Sequence, residues 1–211
     1  LKRQIDGRPT WAAVSTHDGE ETAAAEVHVT LRARHRGLLT IIVPRHPERA
    51  DKLTEQIEGM GLKVARRSLG AKISPDTDIL LGDTIGEMGL YLRLTEIAFV
   101  GRSLTSSGGQ NPLEPAMLDT AVLAGRNVQN FRDSYQRLLE SGGAKLVRDR
   151  AMLAGAVNYL LSNEVARHDM MAAAAATVED MRGALAATMK ALEPYIQPLV
   201  VKSRLWRAGS Q

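Results

Sequence analysis

The chain has 211 residues, 44% hydrophobic and 24% charged, with 27 Lys and Arg against 24 Asp and Glu for a net charge of +3. A chain of this length and composition can bury most of its apolar surface, which excludes a disordered tail. It contains no cysteine, so disulfides, thiolate nucleophiles and cysteine-ligated zinc are excluded too.

Aromatic residues make up 4% of the chain. That is too few for single-strand stacking platforms, and the small net charge gives no second reason to expect a nucleic-acid partner. No run of about 18 apolar residues marks a transmembrane helix. The chain opens Leu1-Lys2-Arg3 with no legible signal peptide, so an upstream part is expected to have been removed. The lack of disulfides fits a reducing cytoplasm.

In chain order, Trp11 to Ser15 is a short apolar run, followed by a helical stretch with Ala24, Val27 and Leu31 at helical spacing. Leu38 to Val43 (LLTIIV) reads as a strand buried on both faces. Pro44-Arg45-His46-Pro47 ends it, Pro47 suits the first position of a helix over Glu48 to Met60, and Gly61 closes that helix. Leu62 to Arg66 and Asp78 to Leu81 are the next strands, and a short helix holds Leu90 and Leu94. Ile97 to Val100 is a strand that ends at Gly101. A long polar loop leads to a helix around Pro112 to Leu118. Ala121 to Leu123 and Lys145 to Val147 are the last strands, with a helix over Phe131 to Glu140 between them. This alternation predicts an α/β fold, a Rossmann-like parallel sheet flanked by helices.

Residues 164–211 form a helical extension to this domain of residues 1–163. A long Ala-rich helix over Glu164 to Leu192 carries Met171, Ala174, Val178, Met181, Leu185 and Leu192 on one stripe. Pro194 and Pro198 are expected to interrupt it, and the basic end Lys202 to Arg207, with Trp206, reads as a solvated terminus rather than a lipid contact.

In an open parallel sheet, ligands bind beyond the carboxyl ends of the strands. The unusual residues fall there: Thr16 to Glu20, Pro44 to Pro47, Gly82 to Glu87, Gly101 to Glu114, and Gly125-Arg126-Asn127. Gly-rich loops running into helix starts suit an anion, so several on one edge make a case for a nucleotide. The sharpest stretch runs from Ser106 to Ala116. Two glycines there let the backbone approach a phosphate, and Glu114 can accept hydrogen bonds from a ribose diol. The same residues can equally be a helix start in which Asn111 caps and Glu114 completes a capping-box-like pair.

The segments S-T-H-x-G-E-E (Ser15 to Glu21), V-P-R-H-P-E-R (Val43 to Arg49), L-L-G-D-T-x-G-E-M (Leu80 to Met88), F-V-G-x-S-L (Phe99 to Leu104) and G-G-x-N-P-L-E-P-A (Gly108 to Ala116) occur in that order. From about Ala12 to Leu161 the chain resembles the C-terminal half of the 3-deoxy-D-manno-octulosonic acid (Kdo) transferases, GT-B glycosyltransferases that move Kdo from CMP-Kdo onto a lipid A precursor. The resemblance implies that residues 1–163 bind the CMP-Kdo donor through Pro44, Arg45, Gly86, Glu87, Met88, Asn111, Pro112, Leu113 and Glu114. It implies no cofactor and no metal. The catalytic carboxylate, the acceptor surface and the membrane anchor would lie in a missing N-terminal domain, toward which residues 164–211 would return. The fragment would then hold no catalytic residue. The parent enzyme would work at the cytoplasmic face of the bacterial inner membrane. The chain departs from the family in three places: Arg102 for a second Gly, Gln110 for His, and Gly125-Arg126-Asn127 for G-P-H.

Arg45 has a fork suited to phosphate or carboxylate, and its charge at a helix start opposes the dipole. For Glu87 the backbone is the expected ligand. His46 reads as a loop residue. His17 and Glu20 are placed at the mouth of the first loop, with Glu20 equally a first-turn helix residue. His28 and His35, seven apart, read as surface histidines. Two rivals remain: a GT-B transferase or epimerase using another nucleotide sugar, and a non-catalytic nucleotide-binding module.

Overall fold

The computed structural model describes residues 1–5 and 7–208, and for 184–187 and 197–208 the backbone alone. Seven parallel strands form one sheet in the order β3-β4-β2-β1-β5-β6-β7. They are β1 (Thr10–Thr16), β2 (Leu39–Pro44), β3 (Val64–Arg66), β4 (Ile79–Leu81), β5 (Ile97–Val100), β6 (Ala121–Ala124) and β7 (Ala144–Leu146). The helices are α1 (Glu20–Leu31), α2 (Ala50–Glu58), α3 (Met88–Leu92), α4 (Leu113–Met117), α5 (Arg132–Glu140), α6 (Arg150–Ser162) and α7 (Glu164–Ala208).

The period-2 alternation of a strand sorts its side chains onto two faces. Trp11, Ala13, Ile42, Ile79, Leu81 and Phe99 point to one face and pack on α1, α2 and α6. Ala12, Val14, Ile41, Leu80, Ala98 and Val100 point to the other and pack on α3, α4 and α5. Both faces are covered, so β2, β4, β5 and β6 are buried along their whole length, which is why their sequences read as continuous apolar runs. The first helix proper after β2 starts at Ala50, after a 3-10 turn over Pro47–Arg49. It gives way after Glu58 to tight turns that end at Gly61, whose φ is +75°.

Helix α7 changes face. Met170 belongs to the first apolar cluster, whereas Ala174 and Val178 belong to the second. Between them the helix passes beneath the amino ends of the strands. Arg167 Nε donates to Glu96, just before β5, at 2.6 Å, and Thr177 Oγ1 donates to Ser141 Oγ, just before β7, at 2.7 Å. Gly143 permits the crossing, because a Cβ there would stand 2.6 Å from Ala174 Cα. Contrary to the sequence expectation, the helix runs on through Pro194 and Pro198 to Ala208. A proline removes a single backbone bond, and the helical turns on either side carry the helix through. At about 1.5 Å per residue, 45 residues span about 67 Å. Met189, Leu192, Tyr195 and Ile196 are exposed on its far part. The side chains of Leu185 and of Lys202 to Arg207 with Trp206 lie outside the described residues. No helix among the described residues is long and apolar enough to cross a membrane.

Candidate functional site at the carboxyl edge

Strand β1 is the switch point. From it the chain moves one way to β2, then to β3 and β4, and returns on the other side through β5 to β7. The loops after β4, β2, β1, β5 and β6 therefore lie side by side in that order along the carboxyl edge. Helices α3 and α4 touch on one face. A Cβ at Gly89 in α3 would meet Leu118, just past α4, at 3.9 Å, while the Pro44-Arg45 loop neighbours the Gly86 loop through the β2–β4 pairing.

The β1–β5 flank is held by backbone donors on one carboxylate. Glu20, 1% exposed, accepts at Oε2 from the N–H of His17 at 2.9 Å and of Arg102 at 2.6 Å. Its Oε1 accepts from the N–H groups of Ser103 and Leu104, each at 2.9 Å. Glu20 thus faces inward and ties two loops together rather than standing at the mouth of the first. Gly101 lies against it: a Cβ there would stand 2.6 Å from both Ser15 O and Thr16 Cα. Ser15 and Arg102 have φ of 52° and 55°, left-handed backbone that costs a non-glycine residue about 1 kcal/mol or more. A glycine, the residue that the resemblance implies at position 102, would adopt this backbone without that cost. The Arg102 side chain does not crowd the loop: its Nε donates to Ser107 O at 3.1 Å, and its own carbonyl accepts from Gly109 N–H at 2.8 Å. Gly125 N–H donates to Ser103 Oγ at 2.8 Å, and Tyr135 Oη to Gln110 O at 3.3 Å.

The β4 flank is held by ion pairs. Asp83 accepts from Arg66 Nε at 2.9 Å, from Ser68 N–H at 2.8 Å and from Ser68 Oγ at 2.6 Å. Burial acts to raise its pKa, but these bonds outweigh burial and hold it below the usual carboxylate range. Glu87 takes a two-toothed bond from Arg67, at 3.0 and 2.7 Å, and a third from Thr84 Oγ1 at 2.5 Å. The Arg67 bonds are the main cause that lowers its pKa. The Glu87 side chain is thus engaged within the protein.

Each residue singled out from sequence has a definite place. Pro44 is buried at the end of β2, and Arg45 follows it, exposed, with its N–H on Thr16 O at 3.0 Å and no side-chain partner among the described residues. Gly86 turns with φ +82° and is exposed, and Met88 opens α3 half-buried. Asn111 Oδ1 accepts from Leu113 N–H at 3.0 Å, making a local turn, while Pro112 rather than Asn111 occupies the helix cap. Leu113 is half-buried and Glu114 exposed in the first turn of α4. His17 and His46 meet edge to face with ring centroids 5.6 Å apart, and burial lowers the pKa of His17.

Two histidines depart from expectation. His28 is fully buried between Thr40 Oγ1 at 2.9 Å and Asp78 Oδ1 at 3.2 Å, because α1 packs its Ala-rich face on the sheet. His35 lies beyond α1 and bonds Asn158 Oδ1 at 3.0 Å. Sequence reasoning also missed Asp83 and the inward role of Glu20. The available signal was two consecutive glutamates at the first turn of a helix that packs on a buried strand.

The chain is 36% identical over 206 residues to the 3-deoxy-D-manno-octulosonic acid transferase of Haemophilus influenzae, a match that covers 93% of this chain and 48% of that protein. The transferase of Bordetella pertussis matches at 36% identity over 90% of this chain and 45% of its own length. The chain thus spans about half the length of the curated relatives it matches. Among solved structures, the C-terminal CMP-Kdo binding domain of WaaA from Acinetobacter baumannii superimposes with a TM-score of 0.79 at 30% identity, covering 82% of this chain and 91% of that one. The chain belongs to the Kdo transferase family. Its sheet and flanking helices are those of the C-terminal half of a GT-B fold. No protein-family model matches it.

Proposed function

We propose that this chain is the donor-binding half of a glycosyltransferase that transfers Kdo from CMP-Kdo to a lipid A precursor, lipid IVA, in lipopolysaccharide biosynthesis. The observation that carries the reading is the likeness to a CMP-Kdo binding domain over nine-tenths of that domain, with the predicted donor residues along one edge of the sheet. Arg45 has no side-chain partner among the described residues, and Gly86 and the Asn111 to Glu114 segment lie on loops at the same carboxyl edge. In transfer, an acceptor hydroxyl forms a bond to the anomeric carbon of Kdo as the bond to the CMP phosphate breaks. Arg45 and nearby amides stabilise the charge that builds on the departing phosphate. Glu114, exposed and without a side-chain partner among the described residues, accepts from the ribose hydroxyls.

Residues 1–163 form the donor domain in this reading, and residues 164–211 the extension that packs on it and returns toward an N-terminal domain. That other half supplies the catalytic base, the acceptor surface and attachment to the cytoplasmic face of the bacterial inner membrane. Transfer then needs no metal. Calorimetric titration of the chain with CMP, UMP and ADP is the test. Heat selective for CMP is expected, with affinity falling about tenfold in Glu114→Ala as two hydrogen bonds to a charged acceptor are lost. Equal affinity for the three nucleotides would remove the donor assignment. Kdo transfer by this chain alone would overturn the placing of the base in the other half.

A further inference from the structure

We infer that Glu20 is a positioning residue for the donor site, a latch that places the whole segment from Gly101 to Glu114 relative to β1. The inference rests on the donor-binding reading above. A carboxylate in the first turn of a helix ordinarily serves its own helix or meets solvent. Glu20 instead reaches loop amides that lie 82, 83 and 84 residues later in the chain. Three successive N–H groups converging on one oxygen pair form the kind of concave nest that binds anions in other proteins. Here the protein's own carboxylate fills the nest. The amides of Arg102, Ser103 and Leu104 are therefore not free to hold a phosphate, and the donor's anionic groups must be met elsewhere on the edge.

The latch also sets geometry. Glu20 Oε2 accepts from both His17 and Arg102, so one atom joins the loop after β1 to the loop after β5. On either side of it stand Ser15 and Arg102, both in left-handed backbone. The passage leaves no room at Gly101, where a Cβ would approach Glu20 Oε2 to 2.7 Å. From this anchored start, the Arg102 carbonyl holds Gly109, the Ser103 carbonyl holds Asn127, and Gly108 O accepts from Asn130 N–H. Asn111 to Glu114 follow directly. Moving the anchor moves the donor segment.

The test compares the wild type with Glu20→Gln, Glu20→Asp and, as a control elsewhere on α1, Glu26→Gln, whose carboxylate pairs with Arg150 of α6 and not with the loops. Amide hydrogen exchange and CMP calorimetry are the readouts. In Glu20→Gln, exchange at Arg102, Ser103, Leu104 and Gly109 should rise at least tenfold, while Ala12 to Val14 in β1 stay protected. CMP affinity should fall about tenfold or more in the folded variant. The control should match the wild type in both. A role confined to stability would lower the melting temperature and leave the affinity of the folded variant unchanged, which would overturn the inference while the donor reading stood. If Glu20→Gln does not fold, Glu20→Asp decides on the same two readouts. A wild type that binds no CMP would remove the donor reading and the positioning role with it, whereas the exchange data would still report whether Glu20 anchors the loop.

Discussion

The two flanks of the carboxyl edge are fastened by different chemistry. On the β5 side, neutral backbone donors close on a buried carboxylate and glycines let the loops touch. On the β4 side, Arg66 at the end of β3 and Arg67 just after it hold Asp83 and Glu87 through ion pairs, the second half open to solvent. Hydrogen bonds between a buried carboxylate and backbone amides are little screened, while exposed ion pairs weaken with salt. One flank should therefore answer to steric change and the other to ionic conditions. In 1 M salt, amide exchange at Gly70, whose N–H bonds the carbonyl of Arg67, should speed up more than at Leu104, bound to the buried Glu20. Equal responses would erase the distinction.

The largest effect is expected on the steric flank. A Cβ at Gly125 would stand 1.9 Å from Ser103 O, so Gly125→Ala should cost about 3 kcal/mol or more in urea unfolding, by forcing backbone apart. Next comes Asp83→Asn, which leaves Arg66 beside a neutral amide and should cost about 2–3 kcal/mol. It should also change the acid limb. Both Asp83 and Glu87 have lowered pKa values in the folded protein. Their stabilisation is therefore complete above the unfolded carboxylate pKa of about 4, and is lost as pH falls through the lower folded value. The variant should show a shallower loss of stability below pH 4, and an unchanged slope would refute the assignment.

His28 gives a smaller effect at milder pH. Burial lowers its pKa, against the opposing pull of Asp78. Its stabilisation is thus full above the unfolded value of about 6.5 and declines as pH drops below it. Denaturation at pH 7 and pH 5 should show a loss of about 1 kcal/mol that His28→Gln abolishes. The smallest change is expected for Arg67→Gln on the ionic flank. It should be visible at low salt and vanish at high salt, as measured by melting temperature.

The sheet was legible because its central strands are buried on both faces and so spell uninterrupted apolar words: IAFV at Ile97 to Val100 matches β5 residue for residue. Helix ends were harder to read, as at Asn111, where a side-chain turn and a cap share one spelling. The misses share a cause. His28 finds partners 12 and 50 residues away, and Glu20 finds three of its four more than 80 residues away. No local pattern carries such a pairing. The proposed donor residues follow from motif order alone, whereas the burial of Asp83 and Glu20 depends on how the chain turns back at β1. The continuous helix through Pro194 and Pro198 shows that a breaker is a local cost, which long flanking helix can absorb.

The central place of β1 has a consequence for the order in which the molecule is made. One neighbour, β2, leaves the ribosome soon after it, but the other, β5, follows only after β3, β4 and α3. Until then one edge of β1 is unpaired and the Glu20 carboxylate is hydrated. Pairings this distant in sequence form late and fold slowly. Removing the Glu20 contacts should therefore quicken unfolding in a chevron experiment and leave the refolding rate nearly untouched. During synthesis, the β1–β5 seam is the last part of the sheet's centre to close.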